Sequence, residues 1–163
     1  MKRLVAALLA SAVFFGSQAF AAVTPNSIVT AQTPSRGIVQ FLQGTDTAGT
    51  YKTLYTAGTN GSKCYGMLTN NNDGSATHLV TVQLVNTAVK YGGVALTTVS
   101  NAGFTSGTPP QSLMSSTVWA GLPVDSDGNP FIALNSGDTL QATYATALTA
   151  ATLINVVVTC ADY

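Results

Sequence analysis

The stretch that most constrains the fold is residues 77–86, Thr-His-Leu-Val-Thr-Val-Gln-Leu-Val-Asn. In an extended chain His78, Val80, Val82 and Leu84 fall on one side, and Leu79, Thr81, Gln83 and Val85 on the other. That period of two defines a strand with one face in a core and the other face mixed. No stretch beyond the N-terminus shows a helical period. Glutamate is absent, Lys and Arg are few, and Thr, Val and Gly are many, which disfavours helix and favours strands and turns.

Further strands are expected at residues 37–42, 52–56, 64–69, 91–99, 131–134, 139–144 and 154–160, the last a mostly apolar run. Turn chemistry separates them: Asn60-Gly61, the Asn70-to-Ser75 cluster, Asp127-Gly128 and Asn135-Ser136-Gly137. Gly92-Gly93 suggests a bulge or bend in the strand that holds it. Residues 101–111 read as a long loop, 112–122 leave room for one helical turn, and 145–152 carry no clear pattern. Short strands at near-regular spacing imply an all-β fold, an antiparallel β-sandwich of jelly-roll type.

The first residues form a different pattern. Lys2 and Arg3 precede an apolar run over residues 4–15, and Ala19-Phe20-Ala21 offers a small-x-small cleavage site. That is the layout of a secretory signal peptide. The run is shorter than the roughly 20 residues needed to span a bilayer. The expected organisation is a leader at residues 1–21, an extended arm at 22–36 containing Pro25 and Pro34, and one domain at 37–163. The destination would be periplasmic or extracellular.

Charged residues make up 7% of the chain, against about 25% in ordinary globular proteins. Without the leader, four cations (Arg36, Lys52, Lys63, Lys90) face six aspartates, a net charge of −2. No basic face is available to hold nucleic acid, and no polybasic segment to hold an anionic membrane once the leader is gone. In an oxidising compartment Cys64 and Cys160 most simply pair, the alternative being two free buried thiols. Such a bridge would lock the sheets together near both ends of the domain.

Chemistry is sparsely provisioned, and no enzyme activity and no cofactor is expected. His78 is the only histidine, it sits mid-strand, and no Gly-x-Ser-x-Gly elbow accompanies it. A structural or surface role for His78 is therefore expected. Asp125, Asp127 and Asn129 have the alternation of a calcium loop. Gly128, however, comes two positions early, and Ser136 stands where a bidentate glutamate belongs, so a turn is favoured and no metal is expected. Trp119 is the one ligand-binding candidate, by stacking on a sugar ring, with core or interface packing as the commoner role.

The segments Leu54 to Lys63, Thr69 to Asp73, Thr77 to Val82, Ser116 to Pro123, Asp127 to Pro130 and Leu134 to Ala142 together resemble small β-rich proteins of tailed bacteriophages and prophages, of virion or tail-associated type. The resemblance covers most of the chain after the leader and consists of turns and strands. It implies a fold and a structural role, not a catalytic site. The leader and the cysteine pair depart from it and imply a phage-like domain moved to an exported role. The expected function is that of a structural or surface-interaction protein, with a second copy or another surface or virion protein as partner. The alternatives are a fimbrial or adhesin subunit assembled by strand exchange and a small glycan-binding module.

Overall fold

The computed structural model describes residues 33–103, 108–149 and 151–163. The expected leader and residues 22–32 of the expected arm lie outside them. The strands are β1 (Thr33–Leu42), β2 (Lys52–Thr56), β3 (Ser62–Asn71), β4 (His78–Asn86), β5 (Val89–Thr98), β6 (Gln111–Ser112), β7 (Ile132–Leu134), β8 (Asp138–Tyr144) and β9 (Leu153–Asp162). Among the described residues there is no helix.

Two antiparallel sheets pack face to face. One has the order β1-β9-β3-β6, with β7 also beside β3, and the other has the order β2-β8-β4-β5. With β7 set aside, the ladder pairs are β1 with β9, β2 with β8, β3 with β6, and β4 with β5. A long hairpin paired in this way, and rolled so that successive pairs fall in alternate sheets, is a jelly roll. The expected β-sandwich of jelly-roll type is the observed fold.

The core lies between the sheets. Phe41, Met67, Ile154, Val156 and Val158 enter it from one sheet, and Val80, Val82, Leu140, Ala142 and Tyr144 from the other, all nearly or fully inaccessible to water. The rings of Phe41 and Tyr144 meet across the sheets with centroids 5.1 Å apart. The Tyr144 hydroxyl donates to the Asp46 carbonyl at 2.7 Å, so its one polar atom is satisfied. The middle of β9, Val156 to Val158, is apolar on both faces because the strand is central. Val156 and Val158 face inward, while outward Val157 lies in register between Ile38 of β1 and Leu68 of β3.

Cys64 and Cys160 form a disulfide, fully buried, with Cα atoms 3.8 Å apart. Its position corrects one expectation. The two residues are direct register partners on β3 and β9, so the bridge ties neighbouring strands of one sheet and does not lock the two sheets together. The roll brings β9 back between β1 and β3, which makes distant segments of the chain immediate neighbours.

Three bulges reset the side-chain parity, the first on β2, where the register shifts between Thr53 and Tyr55 and leaves Leu54 extra. On β3 the register shifts between Cys64 and Gly66, which leaves Tyr65 unpaired and exposed, so Cys64 and Met67 both point inward. On β5 the shift leaves Tyr91 extra, next to the glycine pair that suggested a bulge. Strand β1 begins at Thr33 rather than at residue 37, because Thr33 to Arg36 continue the ladder with β9.

The β4–β5 hairpin closes through Thr87 and Ala88, with φ of 42° and 71°. A two-residue turn with positive φ at both positions favours Asn-Gly, and a β-branched residue is strained there. Replacing Thr87-Ala88 by Asn-Gly is expected to raise stability by about 1 kcal/mol. Urea midpoints check this; an unchanged or lower midpoint would contradict it.

Gly37 of β1 packs directly against the backbone of β2 in the facing sheet. A Cβ there would lie 2.0 Å from the Leu54 carbonyl oxygen of β2, a backbone atom that cannot swing aside. Gly37→Ala is expected to lower stability by about 1–3 kcal/mol, with a matching fall in the thermal midpoint. An unaltered melt would show that the sheets can part freely at this corner.

Candidate functional site

Two places gather the residues singled out by chemistry: a buried polar knot around His78 and an open cleft beside Trp119.

The knot begins in the Asn- and Asp-rich connection between β3 and β4. Such residues bond their own backbone. The Asn71 side chain accepts from the Asp73 amide at 2.9 Å and donates to the Ala76 and Val99 carbonyls. Asp73 Oδ1 accepts from the Ser75 amide (2.9 Å), the Ser75 hydroxyl (2.8 Å) and the Ala76 amide (3.1 Å). Asp73 Oδ2 meets His78 Nε2 at 3.0 Å and the Thr149 hydroxyl at 2.7 Å. Both the Asp73 and the His78 side chains are 1% exposed. His78 is in the core because position 78 lies on the inward face of β4, and Asp73 supplies the partner a buried imidazole needs.

This pair is not two-thirds of a catalytic triad. His78 Nδ1, the nitrogen that would meet a nucleophile, is buried and has no hydrogen-bond partner. Asp73, Asn71 and Thr149 complete the knot, and the reading of single motifs missed them. The Asn-Asp cluster signalled a loop, but Thr149 is 76 residues from Asp73 and nothing local links them.

Burial opposes the charge on Asp73, yet the hydrogen bonds from His78, Thr149 and Ser75 outweigh it and hold the carboxyl far below its usual range. Asp138 is lowered in the same way, with burial outweighed by Asn86 and the Asn135 amide. Asp162 is lowered by the Ser62 and Tyr55 hydroxyls. A carboxyl whose folded pKa is depressed stabilises the fold above its unfolded value of about 3.9, and that contribution is lost as pH falls toward the folded value. Stability is therefore expected to be level from pH 7 to about pH 5 and to fall steeply below about pH 4. Urea midpoints across that range check it. A midpoint unchanged between about pH 5 and pH 3 would contradict it.

The cleft is built by the long connection between β6 and β7. The Trp119 amide donates to the Ser115 carbonyl at 2.9 Å, which is the single helical turn that residues 112–122 left room for. Trp119 and Leu122 are partly buried and pack on the core, and both also wall the cleft with Val124 and Pro130. Ser115 and Ser116 add hydroxyls, and the cavity measures about 280 Å³.

Asp125, Asp127 and Asn129 form the far side of the same loop, as a turn. Asp125 Oδ1 accepts from the Asp127 amide at 3.0 Å and the Asn129 amide at 2.8 Å, and the Gly128 amide donates to the Asp125 carbonyl at 3.0 Å. Gly128 has φ of 83°, the conformation glycine provides. The Asn129 and Asp127 bonds hold the Asp125 carboxyl below its usual range. One Asp125 carboxylate oxygen is thus engaged with the backbone. Among the described residues no three His, Cys, Asp or Glu side chains cluster as metal ligands do. The structure brings Trp119 and this turn together at one cleft and keeps both apart from the His78 knot.

No family model matches the chain, and no curated protein matches it. Among solved structures, the chain is similar to the cyanophage Pam1 capsid asymmetric unit, at 17% identity and a TM-score of 0.34, over 80% of this chain and 84% of that one. A likeness this loose bears on neither fold nor function.

Proposed function

We propose that this is an exported β-sandwich protein that acts by surface contact, as a structural or interaction component, and catalyses no reaction. The observation that carries the reading is the state of its only histidine. His78 and Asp73 are sealed in the core and engaged in joining the β3–β4 and β8–β9 connections, so the chain's only imidazole is spent on architecture. Export is supported by the leader pattern at residues 1–21 and by the buried Cys64–Cys160 bridge, a bond that persists in oxidising compartments. The sequence resemblance to phage virion and tail-associated proteins agrees with a contact role.

Strand exchange of the fimbrial kind is the less favoured reading. The strand nearest the C-terminus, β9, lies between β1 and β3 of its own chain and fills the core with Ile154, Val156 and Val158. The assembly element proposed instead is the arm ahead of β1, with a second copy or another surface protein as partner.

Expression with the full leader, followed by cell fractionation and intact mass, tests export. Recovery in the periplasm or medium of a chain starting near Ala22 is expected, and a cytoplasmic product with an intact leader would overturn it. Light scattering tests the arm. Removing residues 22–32 is expected to reduce the oligomer, and an unchanged oligomer would defeat that part of the proposal.

A further inference from the structure

We infer that the Trp119 cleft binds a neutral sugar ring. The inference goes beyond the proposed contact role and does not depend on export.

The chemistry of the lining selects the ligand class. Trp119, Leu122, Val124 and Pro130 give apolar surface, Ser115 and Ser116 give hydroxyls, and no charged side chain lines the cavity. A pyranose has that same duality: one face of C–H groups that packs on an aromatic ring, and a girdle of hydroxyls that exchange hydrogen bonds. An anion or a cation would lose its hydration here and gain no counter-charge. At about 280 Å³ the space lies at the small end of ligand sites, suited to one small ring system.

The cleft is also held in shape before any ligand arrives. Part of the indole packs on the core, which fixes the ring. The opposite wall is clamped by the paired backbone of Val124 and Pro130 and by the two amides bound to Asp125 Oδ1. A site that does not have to order itself gives up less entropy on binding. Val124 is nonetheless 60% exposed, an apolar side chain open to a ligand.

Trp119 is the sole tryptophan, so its fluorescence reports this cleft alone. The purified, oxidised protein is titrated with glucose, galactose, N-acetylglucosamine and short neutral oligomers of each. A saturable emission shift is expected for at least one of them, with a Kd on the order of 1 mM. Val124→Glu, at an exposed position, is expected to weaken that binding about tenfold while the melt stays unchanged. Trp119→Phe is expected to weaken it by a smaller factor, followed by chemical shifts in residues 115–130. No saturable change with any sugar up to about 100 mM would overturn the inference. So would a shift that Val124→Glu leaves intact, which puts the sugar elsewhere. Saturation by a proline-rich peptide where no sugar binds would overturn the ligand class.

Discussion

Asp73→Ala is expected to lower the unfolding free energy by about 3–5 kcal/mol, because it strands several buried hydrogen-bond donors at once. The substitution leaves the Ser75 and Ala76 amides, His78 Nε2 and the Thr149 hydroxyl facing an apolar methyl group. Each stranded donor carries a desolvation penalty of about 1–3 kcal/mol, and partial relaxation keeps the total below their sum. The damage extends beyond the β3–β4 connection, since Asp73 also anchors the β8–β9 connection through Thr149. Asp73→Asn keeps the shape but turns one acceptor into a donor, so a loss of about 2 kcal/mol is expected. Its stability should also respond less to acid. Urea unfolding of both variants is the check, and a loss below about 1 kcal/mol for Asp73→Ala would contradict the role given to the knot.

Opening the Cys64–Cys160 bridge is expected to lower stability by about 2–5 kcal/mol. The bridge closes a sequence separation of 96, and in the chain-entropy picture a loop near that size contributes about 4.7 kcal/mol. Both half-cystines are fully buried, so the reduced thiols stay in an apolar site and stability is lost chiefly through the unfolded chain gaining freedom. The bridge also pins the register of β3 against β9 beside the Tyr65 bulge, where a slip would turn core residues outward. Chemical denaturation of the oxidised protein, the reduced protein and a Cys64→Ala/Cys160→Ala variant measures the effect. Midpoints that agree within about 1 kcal/mol would contradict it.

Much of the fold was legible wherever a strand alternates cleanly. His78, Val80, Val82 and Leu84 are the buried face of β4, and β2 runs from Lys52 to Thr56 as its pattern implies. What stayed hidden depends on pairing. The bulges at Leu54, Tyr65 and Tyr91 break the period of two, so parity could not be carried across them. The Thr87-Ala88 turn lacks the glycine or asparagine that marks such a hairpin. The same-sheet position of the disulfide follows from the roll, which no local motif encodes.

The candidate sites divide along the same line. Trp119 and the Asp125 turn belong to one connection, so a local reading found both, though not the cleft they share. The Asp73–Thr149 bond joins segments far apart in sequence and appears only once β9 has returned to its place.

Everything above rests on one chain supplying its own sandwich, with β9 seated between β1 and β3. Backbone amide exchange, followed by NMR on a dilute monomer, tests this most directly. Slow exchange is expected for the paired amides of β9 from Ile154 to Cys160, near the rate set by global unfolding and the same at every protein concentration. Rapid exchange along β9, or protection that appears only as concentration rises, would mean that the strand's partners come from another molecule.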